Sequence, residues 1–279
     1  MVDQPDGFIF LLVLFLRFFG SVLLAASAAI PIRAQTPLLP KPDAPLPEFA
    51  VATIKPGSIN YLGVYVKPGG RVSAGQCVVR YLVTEAFHVS SSEVIAGPEW
   101  INSARFDIEA VPPDDSPARQ YHPISDNSPL TDDQRLMLQA LLRDRFGLKY
   151  HVEKLEKPVF LLQRSGRPLK LLPPTDPKGF TFMGVNVYSD GKGNGEIEAT
   201  NTTMSFTALR LSEILQRTVI DRTGLTGSYD FHVEAPEAEN ADIRDATFEG
   251  MKTLGLELKP GKAPVDSIVI DEVSRPTPN

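Results

Sequence analysis

The chain has 279 residues, enough for one large domain or two small ones. Its 42% hydrophobic content can build a core, while a net charge of −6 argues against nucleic acid, which needs clustered positive charge. One cysteine, Cys77, excludes an intrachain disulfide, so packing must hold the fold together.

Phe8 to Leu16 is an unbroken apolar run; Arg17 interrupts it, and Phe18 to Ile32 resumes it with many alanines. Residues 1–34 therefore read as a secretory signal, cut near Ala26-Ser27-Ala28 or just after Ala34. Asp3 and Asp6 stand where such signals carry positive charge, so an uncleaved anchor is the rival reading. Either way the chain is expected to be exported: periplasmic, secreted or anchored, touching a membrane only through this segment. Residues 35–47 carry repeated prolines and read as a stiff, extended spacer.

A first α+β half is expected over 48–166. Phe49 to Ile54 reads as a strand stopped by Lys55-Pro56, and Gly63 to Val66 as a second strand before a turn at Pro68-Gly69-Gly70. Val78, Leu82, Ala86 and Val89 recur at helical spacing, with Cys77 at the helix start as a buried structural thiol. Val94-Ile95 is a short strand. Gly97-Pro98-Glu99-Trp100 forms a turn, with Trp100 as a core anchor, and Arg105 to Ala110 is a strand. Val111 to Pro129 reads as loop. Thr131 and Gln134 make a capping box, and Gly147 ends that helix as its C-cap. Leu148 to Glu153 and Pro158 to Arg164 read as a hairpin whose second strand lies at an edge or starts at Pro158.

Residues 167–184 form a connector, 185–274 a second α+β half and 275–279 a tail. Val185 to Tyr188 and Glu196 to Ala199 read as strands around the Gly-rich stretch 189–195. Ala208, Leu211, Ile214 and Leu215 share a helix face. Val219-Ile220 is a short strand. Asp221, Thr223, Gly224 and Gly227 build a turn, in which Asp221 accepts backbone hydrogen bonds and the glycines take positive φ. Tyr229 and Asp230 begin the next strand. A helix with Phe248, Met251 and Leu254 ends at Gly255, and Ser267 to Ile270 is a final buried strand.

The two halves can be overlaid. Phe106 to Ala110 falls on Phe231 to Ala235 (231 − 106, an offset of 125), which also puts Val94-Ile95 on Val219-Ile220. Gly147-Leu148 falls on Gly255-Leu256 (255 − 147, an offset of 108). The expected fold is α+β, with two related halves that each pack helices on a small mixed sheet by internal duplication.

Phe49 to Pro56, Gly97 to Trp100, Met137 to His151, Asp221 to Phe231 and the ending from Val269 occur here in a fixed order. In these the chain resembles the "soil-associated" family of exported bacterial proteins, a domain of unknown function, over roughly 48–279. That family has no established reaction, so the resemblance implies a sensory or binding role at most. A weaker likeness, of topology alone, is to the short N-terminal domain of secretins and TonB-dependent receptors, which binds envelope proteins.

Asp221 to Thr226 is similar to the aspartyl-phosphate motif of cation-pumping ATPases, but Arg222 replaces its lysine and no nucleotide-domain motif follows. Asp190 to Gly195 partly fits a calcium loop, with Lys192 where an oxygen ligand is needed. His88, His122, His151 and His232 lack metal-ligand spacing, and no nucleophile elbow is present. No catalytic, cofactor-binding or metal residue is assigned, and no cofactor. The expected function is a non-catalytic module binding an envelope protein or an extracellular polymer. A hydrolase acting on polysaccharide or cell wall is the alternative, and a structural role in surface assembly a third. A cleft with converging acids would favour the enzyme; an exposed apolar patch or open sheet edge would favour the binding module.

Overall fold

The computed structural model describes residues 37–276, apart from 42–43, 59, 121–128, 180, 188–194 and 236–242. The signal or anchor segment, the Asp190 to Gly195 loop, His122 and Tyr188 lie outside the described residues. In chain order the first elements are β1 (Val51–Pro56), β2 (Gly63–Lys67), β3 (Arg71–Val78), α1 (Val79–Phe87), β4 (Val94–Ala96), β5 (Arg105–Val111), α2 (Asp132–Phe146) and β6 (Lys149–Arg164). Then come β7 (Phe182–Val187), β8 (Gly195–Thr203), α3 (Met204–Leu215), β9 (Val219–Asp221), β10 (Ser228–Ala235), α4 (Ile243–Thr253) and β11 (Leu256–Glu272). The class is α+β. No helix among the described residues is long and apolar enough to cross a membrane.

The strands form three sheets, ordered β1-β5-β3-β2, β10-β8-β7 and β4-β11-β6-β9. The first two are antiparallel and each belongs to one half. The third is mixed and shared, which corrects the expectation of one mixed sheet per half. Its centre is the long antiparallel pair β6·β11, and the short strands pair crosswise and parallel. Val94 of β4 sits opposite Ile268, while Val219 of β9 sits opposite Phe160. Each core thereby borrows from the other half. Ile268 and Ile270 pack with Leu82, Phe87 and Phe146, whereas Phe160 and Leu162 pack with Leu211, Met251 and Leu256.

The hairpin expected between Leu148 and Arg164 is absent: β6 runs straight through. No turn-forming residue lies between Glu153 and Pro158, and β11 offers a partner of matching length. Pro158 is tolerated because β9 begins to pair with β6 only at Phe160, leaving the far side of Pro158 open. The spacer is also not free. Pro37 is buried, the Leu38 N–H donates to the Phe87 carbonyl (2.9 Å), and the Gln139 amide donates to the Leu38 carbonyl (2.8 Å). Gln139 is 3% exposed, and its amide nitrogen is shared between the Leu38 carbonyl of the spacer and the Ala86 carbonyl (2.8 Å). The stretch expected to be pure loop, 111–129, holds a 3₁₀ turn at Pro117–Gln120, and the connector ends inside β7.

Local signals act as their chemistry requires. Thr131 and Gln134 cap α2 reciprocally (3.3 and 2.8 Å), and Asp132 and Asp133 favour its N-terminal dipole. Gly147 ends α2 at φ 60°. β3 and β8 each run directly into a helix, and each bears a left-handed residue at a bulge, Gln76 (φ 53°) and Asn201 (φ 46°). The Gln76 N–H donates to Asp107 (2.9 Å) and the Asn201 N–H to Asp230 (2.7 Å). The overlay set Asp107 on His232; Asp230 plays that part instead, two residues away. A two-residue slide leaves every strand side chain on its own face, so the apolar pattern cannot detect it.

Candidate functional site

α1 and α3 present one face each to a cavity of about 320 Å³, whose rim includes Gly63 to Tyr65 of β2 and Phe182 and Met183 of β7. Both strands are sheet edges. Tyr81, Glu85 and His88 line the cavity from α1 and its cap; Phe206, Arg210 and Glu213 line it from α3. The spacing i, i+4, i+7 brings each trio onto one helix face. Arg135 of α2 closes the cavity beside Leu130. Leu62 and Tyr81, large apolar groups 64% and 36% exposed, stand at the same opening.

The charges are tightly held. Arg135 is 4% exposed and pairs with Glu85 at 3.5 Å, while also donating to the Glu85 backbone carbonyl. Burial lowers its pKa, and Glu85 opposes that shift. Arg210 pairs with Glu213 and donates through Nε to the Met183 carbonyl (3.3 Å). Burial nevertheless raises Glu213; Arg210 offsets part of the rise and Glu85 adds to it, so the two glutamates sense each other across the cavity. Tyr81 is likewise raised, by burial first and then by Glu85. His88 takes the left-handed cap position of α1 (φ 54°). Burial, with Arg135 nearby, pushes its imidazole down to about 4, so it is neutral at pH 7, and its Nε2 is buried without a partner. Buried Met183, Leu130 and Leu209 supply the apolar part of its walls. Such a cavity can orient a ligand that has one polar end and an apolar body.

A second buried network joins the halves. Glu93 is fully buried and accepts the Ser90 N–H (3.2 Å); Ser92 meets Thr218 (3.2 Å), and Lys157 donates to the Ser92 carbonyl (2.7 Å). Burial pushes Glu93 up to about 7, against the lowering pull of the Ser90 N–H.

The turn and cap residues singled out from sequence lie elsewhere, and none lines the cavity; of the histidines, His88 does. Gly97 (φ 83°) turns the chain where a Cβ would meet Ile101 at 2.7 Å. Pro98 precedes the 3₁₀ turn Glu99–Asn102, in which Trp100 is half-buried against Phe106 with the Arg275 guanidinium over its ring (5.1 Å). Asp221 accepts the Thr223 N–H (2.9 Å) and hydroxyl (2.8 Å), and the Leu225 N–H donates to Thr223 Oγ1 (3.1 Å). Gly224 and Gly227 take φ 66° and 95°, and the Tyr229 hydroxyl donates to the Thr226 carbonyl (2.7 Å). These groups shape turns. Cys77 is 1% exposed at the end of β3, two residues before α1, and burial pushes its thiol up to about 12. Among the described residues no three His, Cys, Asp or Glu side chains cluster as metal ligands.

Two signals could have found the cavity. Arg135 is a cation near the N-terminus of a helix, where the dipole disfavours it. The offset of 125 also carries Tyr81, Glu85 and His88 onto Phe206, Arg210 and Glu213, the two faces that meet.

No curated protein and no solved structure matches the chain. A family model described as "Protein of unknown function (DUF3738)" matches residues 80–273 and so takes in both helical faces of the cavity together with Arg135. The chain therefore belongs to the DUF3738 family.

Proposed function

We propose that the protein is a non-catalytic binding module and that the cavity between α1 and α3 is its site. The observation that carries this reading is Arg135. Burying a guanidinium is costly unless it is paired, and this one is buried beside an open cavity with one carboxylate at 3.5 Å. Stability alone would favour an apolar residue there. The exposed Leu62 and Tyr81 at the opening and the two sheet edges support the same reading.

The halves are read as diverged copies. The crosswise pairs Val94–Ile268 and Val219–Phe160 obey the offsets of 125 and 108, and the Asp107 and Asp230 bulges match. On this reading the cavity lies where equivalent helices meet. Export rests on the apolar stretch 8–32, and a partner in the envelope or an extracellular polymer follows from it; the likeness to the soil-associated family agrees.

A hydrolase is the second reading, favoured by the coupling of Glu85 with a raised Glu213. Chemical-shift mapping of the full chain against small acids, oligosaccharides and peptides tests both, with a parallel assay for turnover. Shifts confined to α1, α3 and the start of α2, without turnover, support the module. Hydrolysis that falls a hundredfold in both Glu85→Gln and Glu213→Gln, with binding kept, would replace it by the enzyme. Binders that map elsewhere would remove the cavity as the site.

A further inference from the structure

We infer that the cavity takes the carboxylate of a small amphipathic acid, held head-first by Arg135 with its apolar body against Met183, Phe206 and Leu209. The inference rests on the cavity being the binding site and names what it binds.

A guanidinium offers five N–H groups in a planar fork. In Arg135 only Nη1 is used, on the carbonyl and carboxylate of Glu85. Among the described residues its Nε and Nη2 have no partner, yet neither is sealed from solvent. The residue is 4% exposed, so the space those groups reach is the cavity it lines. An open guanidinium edge matches two carboxylate oxygens side by side, the geometry in which arginine binds anions most strongly. His88, a neutral imidazole whose Nε2 has no partner, stands at the same cavity.

Counting charge sharpens the ligand class. Among the described residues two arginines and two glutamates line the cavity, and each glutamate is already paired with an arginine, so the open edge of Arg135 suits a single carboxylate and not an amine. One open guanidinium edge offers too few donors to repay the desolvation of a phosphate dianion. About 320 Å³ is at the small end of ligand pockets, which fits a short-chain or single-ring acid.

The test is calorimetric titration of the full chain with sodium octanoate, octanamide, octylamine and inorganic phosphate. Octanoate is expected to bind at least tenfold more tightly than the other three. Arg135→Lys should abolish the preference over octanamide. Because Arg135 is buried and its variant can fail to fold, the half-exposed Arg210→Gln provides a second measurement, with about tenfold weaker octanoate binding expected. Octanamide, octylamine or phosphate binding as tightly as octanoate overturns the inference, as does octanoate binding that neither variant changes, or no binding at all. If octanamide or octylamine binds and shifts α1 and α3 resonances, the ligand class falls while the site stands. If no compound of any kind shifts those resonances, both fall.

Discussion

Gln76 and Asn201 occupy the same backbone conformation, at bulges of the central strands of the two antiparallel sheets. In each, a carboxylate from the neighbouring strand accepts the peptide N–H, and its other oxygen accepts a distant backbone N–H: Ser58 for Asp107 (2.7 Å), Thr175 for Asp230 (2.6 Å). The surroundings differ. Asp107 is 6% exposed in the first half; Asp230 stands near water, and the Asn201 and Thr175 N–H groups hold it below the usual carboxylate range. The same device therefore carries unequal weight. An unpaired donor is costly only where water cannot replace the lost acceptor.

Substitution gives the largest contrast. Asp107→Ala should cost about 2–5 kcal/mol, because the carboxylate is 6% exposed and its loss leaves the Gln76 and Ser58 N–H groups without an acceptor in a space closed to water. Asp230→Ala should cost about 1 kcal/mol, since this carboxylate is only half-buried and water can take its place. Urea denaturation of both variants measures the difference, and equal costs would break the comparison.

Next in size is pH. Glu93 belongs to the first half and has Thr218 opposite it in the second. Its folded pKa of about 7 lies above the 4.5 of a free glutamate side chain. The folded state thus holds a proton that the unfolded chain has lost, and stability falls as pH rises from about 4.5 to 7, by up to about 3 kcal/mol. The groups facing it are Ser90, Thr218 and Lys157. His88 acts oppositely: with a folded value near 4 against 6.5 unfolded, it makes stability rise over pH 4 to 6.5, by a similar amount. Arg135 is the charged group beside it, and Glu213, raised like Glu93, adds to the falling side. The two largest slopes nearly cancel in the native protein. Glu93→Gln should leave stability rising with pH, and His88→Asn should leave it falling; melting temperatures from pH 4.5 to 7 read both. A profile that neither variant tilts would show that the burial is not felt.

The smallest effects concern helix ends and the thiol. Gln216 caps α3 at φ 51° as His88 caps α1, but Gln216 is exposed. Gln216→Gly should stabilise by about 0.5–1 kcal/mol through relief of left-handed strain, read by the same urea titration. Cys77 should resist maleimide at pH 8 at the pace of global unfolding, because its thiol is buried and protonated; labelling as fast as that of a free thiol would show local opening of β3.

Much of the fold is written locally. Thr131 with Gln134, Gly147, and Asp221 with Thr223, Gly224 and Gly227 announce their caps and turns in sequence, because each is a bond between near neighbours. The straight run of β6 through Pro158 is not announced, because it depends on a partner strand a hundred residues away. Nor is the shared bulge role of Asp107 and Asp230, since strands repeat every two residues and an apolar pattern is blind to a two-residue slide. The cavity is the hardest part to read. Tyr81, Glu85, Arg135, Arg210 and Glu213 look like ordinary helix-surface residues until α1, α2 and α3 are brought together.

By itself, the sequence determined the α+β class, the helix ends and turns, and the inert buried cysteine. Those follow from composition, periodicity and side chains that bond to their own backbone. Only the tertiary structure decided that the halves share a sheet, that the spacer is docked, and that two helix faces enclose buried charge. Pairing over long separations depends on which surfaces fit together and on which charges lose water when they do, and neither is a property of any single stretch of chain.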